Sequence, residues 1–229
     1  KVGGITVVEL ADRILSSILD REGAQIVQSH LEKHNIEFML GCKVESFSGN
    51  TALLSNKAQI DFDVLVLAVG VRPNTGLVKD AGGDVRRGIV VDEFLQTSLP
   101  DIYAAGDCCE SFDITTDENR VLALLPNAYM QGECAGINMA GGRKPYGKAI
   151  PMNAIGFFGL HIITAGSYVG DAYTEDHTVY KKLFVKDGAL KGYILIGNVE
   201  KAGIYTNLIR EKTQLSDIDF DLIRKNPGL

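Results

Sequence analysis

Thr97-Ser98-Leu99-Pro100-Asp101-Ile102-Tyr103-Ala104-Ala105-Gly106-Asp107 is the stretch on which the fold turns. Polar turn residues lead into a short apolar run that predicts a buried strand. The run stops at Gly106-Asp107, and a long helical pattern follows over Val121–Met139. A Gly-Asp pair at the carboxyl end of a parallel strand is where open α/β sheets hold their ligands. Gly106 lets a ligand approach the backbone closely. The Asp107 carboxylate accepts hydrogen bonds from sugar-alcohol hydroxyls. On its own, the Gly-Asp pair equally describes an ordinary strand end with a capping acid.

Upstream, Ile5-Thr6-Val7-Val8-Glu9 is a β-branched run ending in an acid. Asp20–Asn35 reads as an amphipathic helix with Ile26, Val27 and Leu31 on one face. Ile36–Leu40 is the next strand. Val44–Ser48 and Thr51–Ser55 flank Gly49-Asn50, a two-residue hairpin signal. Asp63–Gly70 is a near-continuous apolar run, the pattern of a strand covered on both faces. The order strand–helix–strand, antiparallel excursion, return strand is that of the second part of a dinucleotide-binding domain. In such a unit an acid at the end of the second strand accepts bonds from the adenosine ribose, which selects Glu9. That acid favours NADH over NADPH, because it repels a 2′-phosphate, although Arg13 nearby could meet one.

Downstream, Gly88–Asp92 reads as a short strand and Glu110–Arg120 as a polar linker. Ala154–Phe158, His161–Ala165, Tyr180–Val185 and Ala189–Ile196 read as strands, the last two joined by Asp187-Gly188. Val199–Arg210 and Ile218–Lys225 read as helices, giving a compact α+β unit.

Three segments carry a family resemblance. The opening stretch resembles the second flavin-binding motif of the pyridine nucleotide-disulfide oxidoreductase superfamily. Val7–Leu15 resembles the segment of that family around its nucleotide-binding acid. Ala68-Val69-Gly70-Val71-Arg72-Pro73-Asn74 is similar to its Ala-Thr-Gly-x-x-Pro-Asn segment, with Val69 in place of the usual Thr. The resemblance is to the NADH oxidase, rubredoxin reductase and nitrite reductase branch. It implies an α/β architecture of partial FAD- and NAD(P)-binding Rossmann-like three-layer domains plus a C-terminal α+β interface domain. The expected bounds are 1–74 for the NAD(P) part, 75–147 for the second half of the FAD domain, and 148–229 for the interface unit.

The resemblance also implies roles. Gly106 and Asp107 hold FAD, and Glu9 holds the NAD ribose. Gly70 lies beside the nicotinamide nucleotide. The helix starting near Asn127 and Ala128 aims its positive end at the flavin. The implied activity passes hydride from NAD(P)H to FAD, and then electrons to a disulfide, oxygen, rubredoxin or nitrite. No side chain stands out as a proton-transfer group, so the catalytic residues stay unassigned. A homodimer built through the C-terminal unit is expected.

The family carries Gly-x-Gly-x-x-Gly once for each nucleotide, and this sequence contains neither copy. The expectation is therefore a C-terminal fragment of a longer flavoprotein, with both sites incomplete, poor binding of FAD and NADH by the chain itself, and self-association over uncovered apolar faces. The alternative is a non-catalytic dimerisation or interaction module with vestigial nucleotide sites.

Composition bounds the remaining classes. Apolar content of 45% and charged content of 23% are those of a globular protein, and the net charge of −6 argues against a nucleic-acid partner. No apolar segment is long enough to span a bilayer and no signal peptide opens the chain, so a cytoplasmic location is expected. Cys42, Cys108, Cys109 and Cys134 form no Cys-x-x-Cys pair and are expected to be reduced thiols, with some redox sensitivity at Cys108 and Cys109 beside the ligand turn. His30 and His34 stand four apart on a helix without a third ligand, and a solvated helix face is expected there rather than a metal site.

Overall fold

The computed structural model describes residues 3–177 and 179–225. The chain opens with β1 (Ile5–Glu9), α1 (Arg21–Glu32) and β2 (Ile36–Leu40), and β1 and β2 are parallel, Ile5 opposite Ile36 and Glu9 opposite Leu40. Asp20 starts α1 because its carboxylate accepts from the Gly23 N–H at 2.9 Å, satisfying one of the free first-turn amides. β3 (Val44–Ser48), β4 (Thr51–Leu54) and β5 (Gln59–Asp61) make a small antiparallel sheet, turning at Gly49 as the sequence predicts.

Asp63–Gly70 departs from its expectation. The segment pairs with no described strand, and Val64, Val66 and Val69 are 80, 79 and 91% exposed. The sheet of β1 and β2 has only two strands, and no described strand lies against this run. A strand that is apolar on both sides is buried only when neighbours and covering layers exist on both sides.

α2 (Gly76–Asp80) and β6 (Ile89–Val90) follow, the latter shorter than expected. The run Ile102–Ala105 is not a strand. Tyr103 forms one isolated bridge to Gln96, and Ala104 N–H donates to Leu95 O at 3.0 Å. Gly106-Asp107 therefore does not close a strand but precedes one, β7 (Cys109–Asp113), which pairs in parallel with β6. The polar linker is likewise structured: β8 (Glu118–Arg120) turns back on β7. Its polar side chains are consumed internally. The buried Asp113 takes Thr115 N and Oγ1 on one oxygen, at 2.8 and 2.7 Å, and Arg120 on the other. Glu110 accepts from the N–H groups of Arg87 and Gly88, at 2.9 and 3.1 Å.

α3 (Leu125–Met139) begins four residues later than the periodicity predicts, with Pro126 in its first turn. The rest forms one antiparallel sheet of β9 (Met152–Phe157), β10 (Leu160–Gly166), β11 (Asp171–His177), β12 (Val179–Lys186) and β13 (Ala189–Ile196), in the order β11-β12-β13-β10-β9. β11 is absent from the sequence reading: its run of Asp, Thr, Glu and Asp lacks apolar alternation. α4 (Ala202–Arg210) and α5 (Phe220–Arg224) match the two predicted helices.

Two apolar clusters cover the faces of this sheet. One joins Leu183, Leu190, Tyr193 and Leu195 to Tyr205, Leu208 and Ile209 of α4. The other joins Ile162, Phe184, Ile194 and Ile196 to Ala24, Val27 and Leu31 of α1. The βαβ unit thus rests on the C-terminal sheet. Gly23 allows the approach, since a Cβ there would lie 3.2 Å from Ile196 and 3.3 Å from Tyr180. No helix among the described residues is long and apolar enough to cross a membrane.

Candidate functional site

Gly106 adopts φ +86°, a left-handed conformation that costs a side-chain-bearing residue energy. The turn is pinned from α3. Gly106 N–H donates to Gln131 Oε1 at 2.5 Å, and Gln131 Nε2 donates to Ser111 Oγ at 2.9 Å. Cys109 N–H closes the turn onto Gly106 O at 3.2 Å. The Asp107 that follows is exposed, and its carboxylate has no hydrogen-bond partner among the described residues.

The turn faces the start of α3: a Cβ on Gly106 would lie 3.7 Å from the Ala128 Cβ. Leu124 at the N-cap makes no side-chain cap bond, and no acid sits in the first turn. The first amides of the helix are left without side-chain acceptors, and the positive end of its dipole is unneutralised. Gly106, Asp107 and Ala128 are thus brought together beside an uncapped helix start.

Asn127 plays another part. Its side chain is buried, donates to Ile150 O at 3.1 Å, and accepts from the Tyr146 hydroxyl at 3.4 Å. Only its backbone belongs to the open helix start. Burial pushes the Tyr146 phenol up to about 12, which keeps it a donor. Gln131 escaped the sequence reading. Its signal is the recurrence of Asn127, Gln131, Cys134 and Asn138 on the buried face of α3, a polar stripe where an apolar one is usual.

Glu9 ends β1 with Oε1 accepting from Ala11 N–H at 2.7 Å. Arg13 is fully engaged nearby: it donates to Leu19 O and Ser16 O, both at 3.3 Å, and pairs with Asp12 at 3.0 Å. Gly70 takes φ +93° in the exposed segment, with nothing within 4 Å of a would-be Cβ. Neither Glu9 nor Gly70 shares a hydrogen bond with the Gly106 turn among the described residues.

His34 is exposed, and His30 is half-buried. His30 Nε2 bonds Phe157 O at 3.0 Å, and the His34 ring stacks on Phe158 with centroids 4.2 Å apart. Both residues join α1 to the β9–β10 turn.

Comparison with known proteins gives the family. The family model for pyridine nucleotide-disulphide oxidoreductase matches residues 2–132, and the rubredoxin NAD+ reductase C-terminal domain matches residues 151–213. An NADH oxidase of Methanocaldococcus jannaschii is 40% identical over 141 residues, covering 60% of this chain and 32% of its own. An NAD-dependent persulfide reductase from A. fulgidus superposes with a TM-score of 0.85 at 26% identity, over 93% of this chain and 45% of its own. An FAD-dependent pyridine nucleotide-disulphide oxidoreductase from Desulfovibrio vulgaris gives 0.83 at 27% identity, over 94% of this chain and 60% of its own. The first curated relatives are matched over only 27, 54 and 36% of their length, so the chain spans between about a quarter and a half of them. With the first family model covering more than half of its residues, the chain belongs to the pyridine nucleotide-disulphide oxidoreductase family.

Proposed function

We propose that this chain contributes the second half of an FAD site and the acidic half of an NAD(P)H site to an NAD(P)H-dependent flavoprotein oxidoreductase. The observation that carries the reading is the Gly106-Asp107 turn, held by Gln131 against the uncapped start of α3. These residues fit a flavin dinucleotide: a backbone without Cβ for close approach, an unpartnered carboxylate for sugar-alcohol hydroxyls, and helix amides for anionic groups. When bound, flavin and nicotinamide supply hydride and electron transfer, and the protein supplies orientation and electrostatics.

Each residue then has a task. Asp107 accepts from the ribityl hydroxyls, and Gly106 admits the cofactor to the backbone. The α3 start faces the flavin with the free Asn127 N–H, while Ala128, whose N–H is donated to Leu124 O at 3.0 Å, brings its small side chain against the turn. Glu9 accepts from the adenosine ribose, and Gly70 flanks the nicotinamide nucleotide. Arg13 is held by two carbonyls and Asp12 rather than left free to meet a 2′-phosphate beside Glu9, which favours NADH.

The acceptor is read as a small molecule or a small redox protein. The match of residues 151–213 to a rubredoxin NAD+ reductase domain supports the second. Residues 1–74, 75–147 and 148–229 serve as NAD(P), FAD and interface units, the last joining two copies.

Titration of the purified protein with FAD, followed by flavin fluorescence with and without NADH, tests the reading. Asp107→Ala is expected to weaken FAD by about tenfold, the worth of one hydrogen bond to a charged acceptor, at unchanged melting temperature. FAD affinity indifferent to this substitution overturns the assignment and favours a non-catalytic module.

A further inference from the structure

The segment Leu10–Asp20 leaves the acid at the end of β1 and re-enters the fold as α1, and the C-terminal sheet sets its course. Ile14 and Leu19 are buried in the cluster that contains Ile162, Phe184 and Ile194. The Tyr168 hydroxyl, just after β10, donates to Ile18 O at 2.5 Å. Its ring stacks on Phe184 with centroids 4.9 Å apart. Asp20, at the other end of the segment, accepts from the Tyr180 hydroxyl and from Lys182 Nζ, both at 2.7 Å. Toward β1, Ala11 N–H donates to Glu9 Oε1 at 2.7 Å, and Ala11 O accepts from Gly41 N–H at 2.8 Å. One continuous set of contacts therefore runs from the C-terminal sheet, through this strap, to the Glu9 carboxylate.

We infer that Tyr168 and Lys182 are positioning residues for the pyridine nucleotide: they hold the Leu10–Asp20 strap, and through it the Glu9 carboxylate, in the orientation that receives a ribose diol. This rests on the reading of Glu9 given under the proposed function. A carboxylate binds a diol well only when its orientation is set beforehand; otherwise the strap must be ordered at the moment of binding, which weakens affinity. The Tyr168 hydroxyl adds little to apolar packing. Its 2.5 Å bond to a carbonyl of the strap, with Thr164 of β10 as its other side-chain partner, ties the strap to the sheet.

The test compares the unaltered protein with Tyr168→Phe and Lys182→Gln, using Lys182→Arg as the conservative rescue. Hydrogen–deuterium exchange across residues 9–20 reads the strap, and NADH titration by nicotinamide fluorescence reads the site. Faster exchange at Ala11 and in the strap is expected, with NADH affinity lower by about three- to tenfold. FAD affinity stays unchanged, the melting temperature falls only by the worth of the single bond removed, and Lys182→Arg restores both readouts. Unchanged exchange in both variants overturns the inference, whatever NADH does. Faster exchange with NADH affinity unchanged also overturns it, because the strap then does not position Glu9. If the unaltered protein fails to bind NADH while exchange still quickens, the role of Glu9 falls and the mechanical coupling of strap to sheet stands.

Discussion

Gln131 Oε1 receives the Gly106 N–H at 2.5 Å, so a side chain in the second turn of α3 fixes the turn that presents Asp107. The same amide reaches Ser111 on β7 at 2.9 Å, and Gln131 is only 1% exposed. Replacing it with Leu keeps the volume but leaves the Gly106 N–H and the Ser111 hydroxyl without this partner. The expected cost is about 1–3 kcal/mol of stability. Thermal unfolding checks the first effect, and a flavin titration checks the accompanying loss of FAD affinity. A Gln131→Leu protein as stable as the parent would show that the turn holds itself.

Asp20 makes the α1 cap depend on pH. Burial pushes its carboxyl up, but the bonds from Lys182, Tyr180 and Gly23 N–H outweigh that and hold it below its ordinary 3.8. Burial, and then the Asp20 carboxylate, push Tyr180 upward, so the phenol stays a donor. A depressed folded-state value means that the contribution is fully present above the ordinary carboxyl value and is lost as pH falls through the folded one. Asp20→Asn is therefore expected to destabilise the protein by about 1–2 kcal/mol at neutral pH, with the difference shrinking in strong acid. Urea unfolding at pH 7 and at acid pH gives both values; a difference that grows on acidification contradicts the argument.

The neighbouring cysteines should differ sharply in reactivity. Cys109 is buried, and that burial, with the charges of Cys108, Asp107 and Glu110, pushes its thiol up to about 12. Burial raises Cys134 as well, and only Cys108 is partly open. At pH 8 the thiolate fraction of Cys109 is on the order of 10⁻⁴, so alkylation of the folded protein should begin at Cys108. Mass spectrometry after brief iodoacetamide treatment distinguishes the sites. Equal labelling of Cys108 and Cys109 would refute the ordering. Redox sensitivity at this turn, if present, is assigned to Cys108.

Val64, Val66, Leu67, Val69 and Val71 form one exposed apolar strip, each at least 68% open. Patches of this kind drive association. The chain is expected to self-associate in sedimentation experiments, and Val66→Lys combined with Val69→Lys should reduce this. Because neither side chain packs, stability should change by less than about 0.5 kcal/mol. A single monomeric species at high concentration removes the premise.

Much of the fold was legible because its signals are local. The β-branched run at Ile5–Glu9, the two-residue turns at Gly49-Asn50 and Asp187-Gly188, and the helix over Ala202–Arg210 follow from periodicity and turn chemistry. The expected strands at Asp63–Gly70 and Ile102–Ala105 failed together, for one reason. Apolar character shows that a segment can be buried, but pairing requires a neighbour that the segment itself does not encode. The polar linker failed in the opposite sense: Asp113 and Glu110 looked solvent-facing but are buried, Asp113 paired with Arg120 and Glu110 accepting backbone N–H groups.

By itself, the sequence determined the α/β class and the family and put forward Glu9, Gly70, Gly106 and Asp107 as the proposed site, because these rest on motifs read along the chain. Only the tertiary structure decided that Gln131 pins the Gly106 turn, that Asn127 faces inward to Ile150, and that α1 with its leading strap is fastened to the C-terminal sheet by Tyr168, Tyr180 and Lys182. Those contacts join residues from 23 to 162 positions apart, and hydrogen bonds over such separations are set by how the packed elements meet rather than by local propensity.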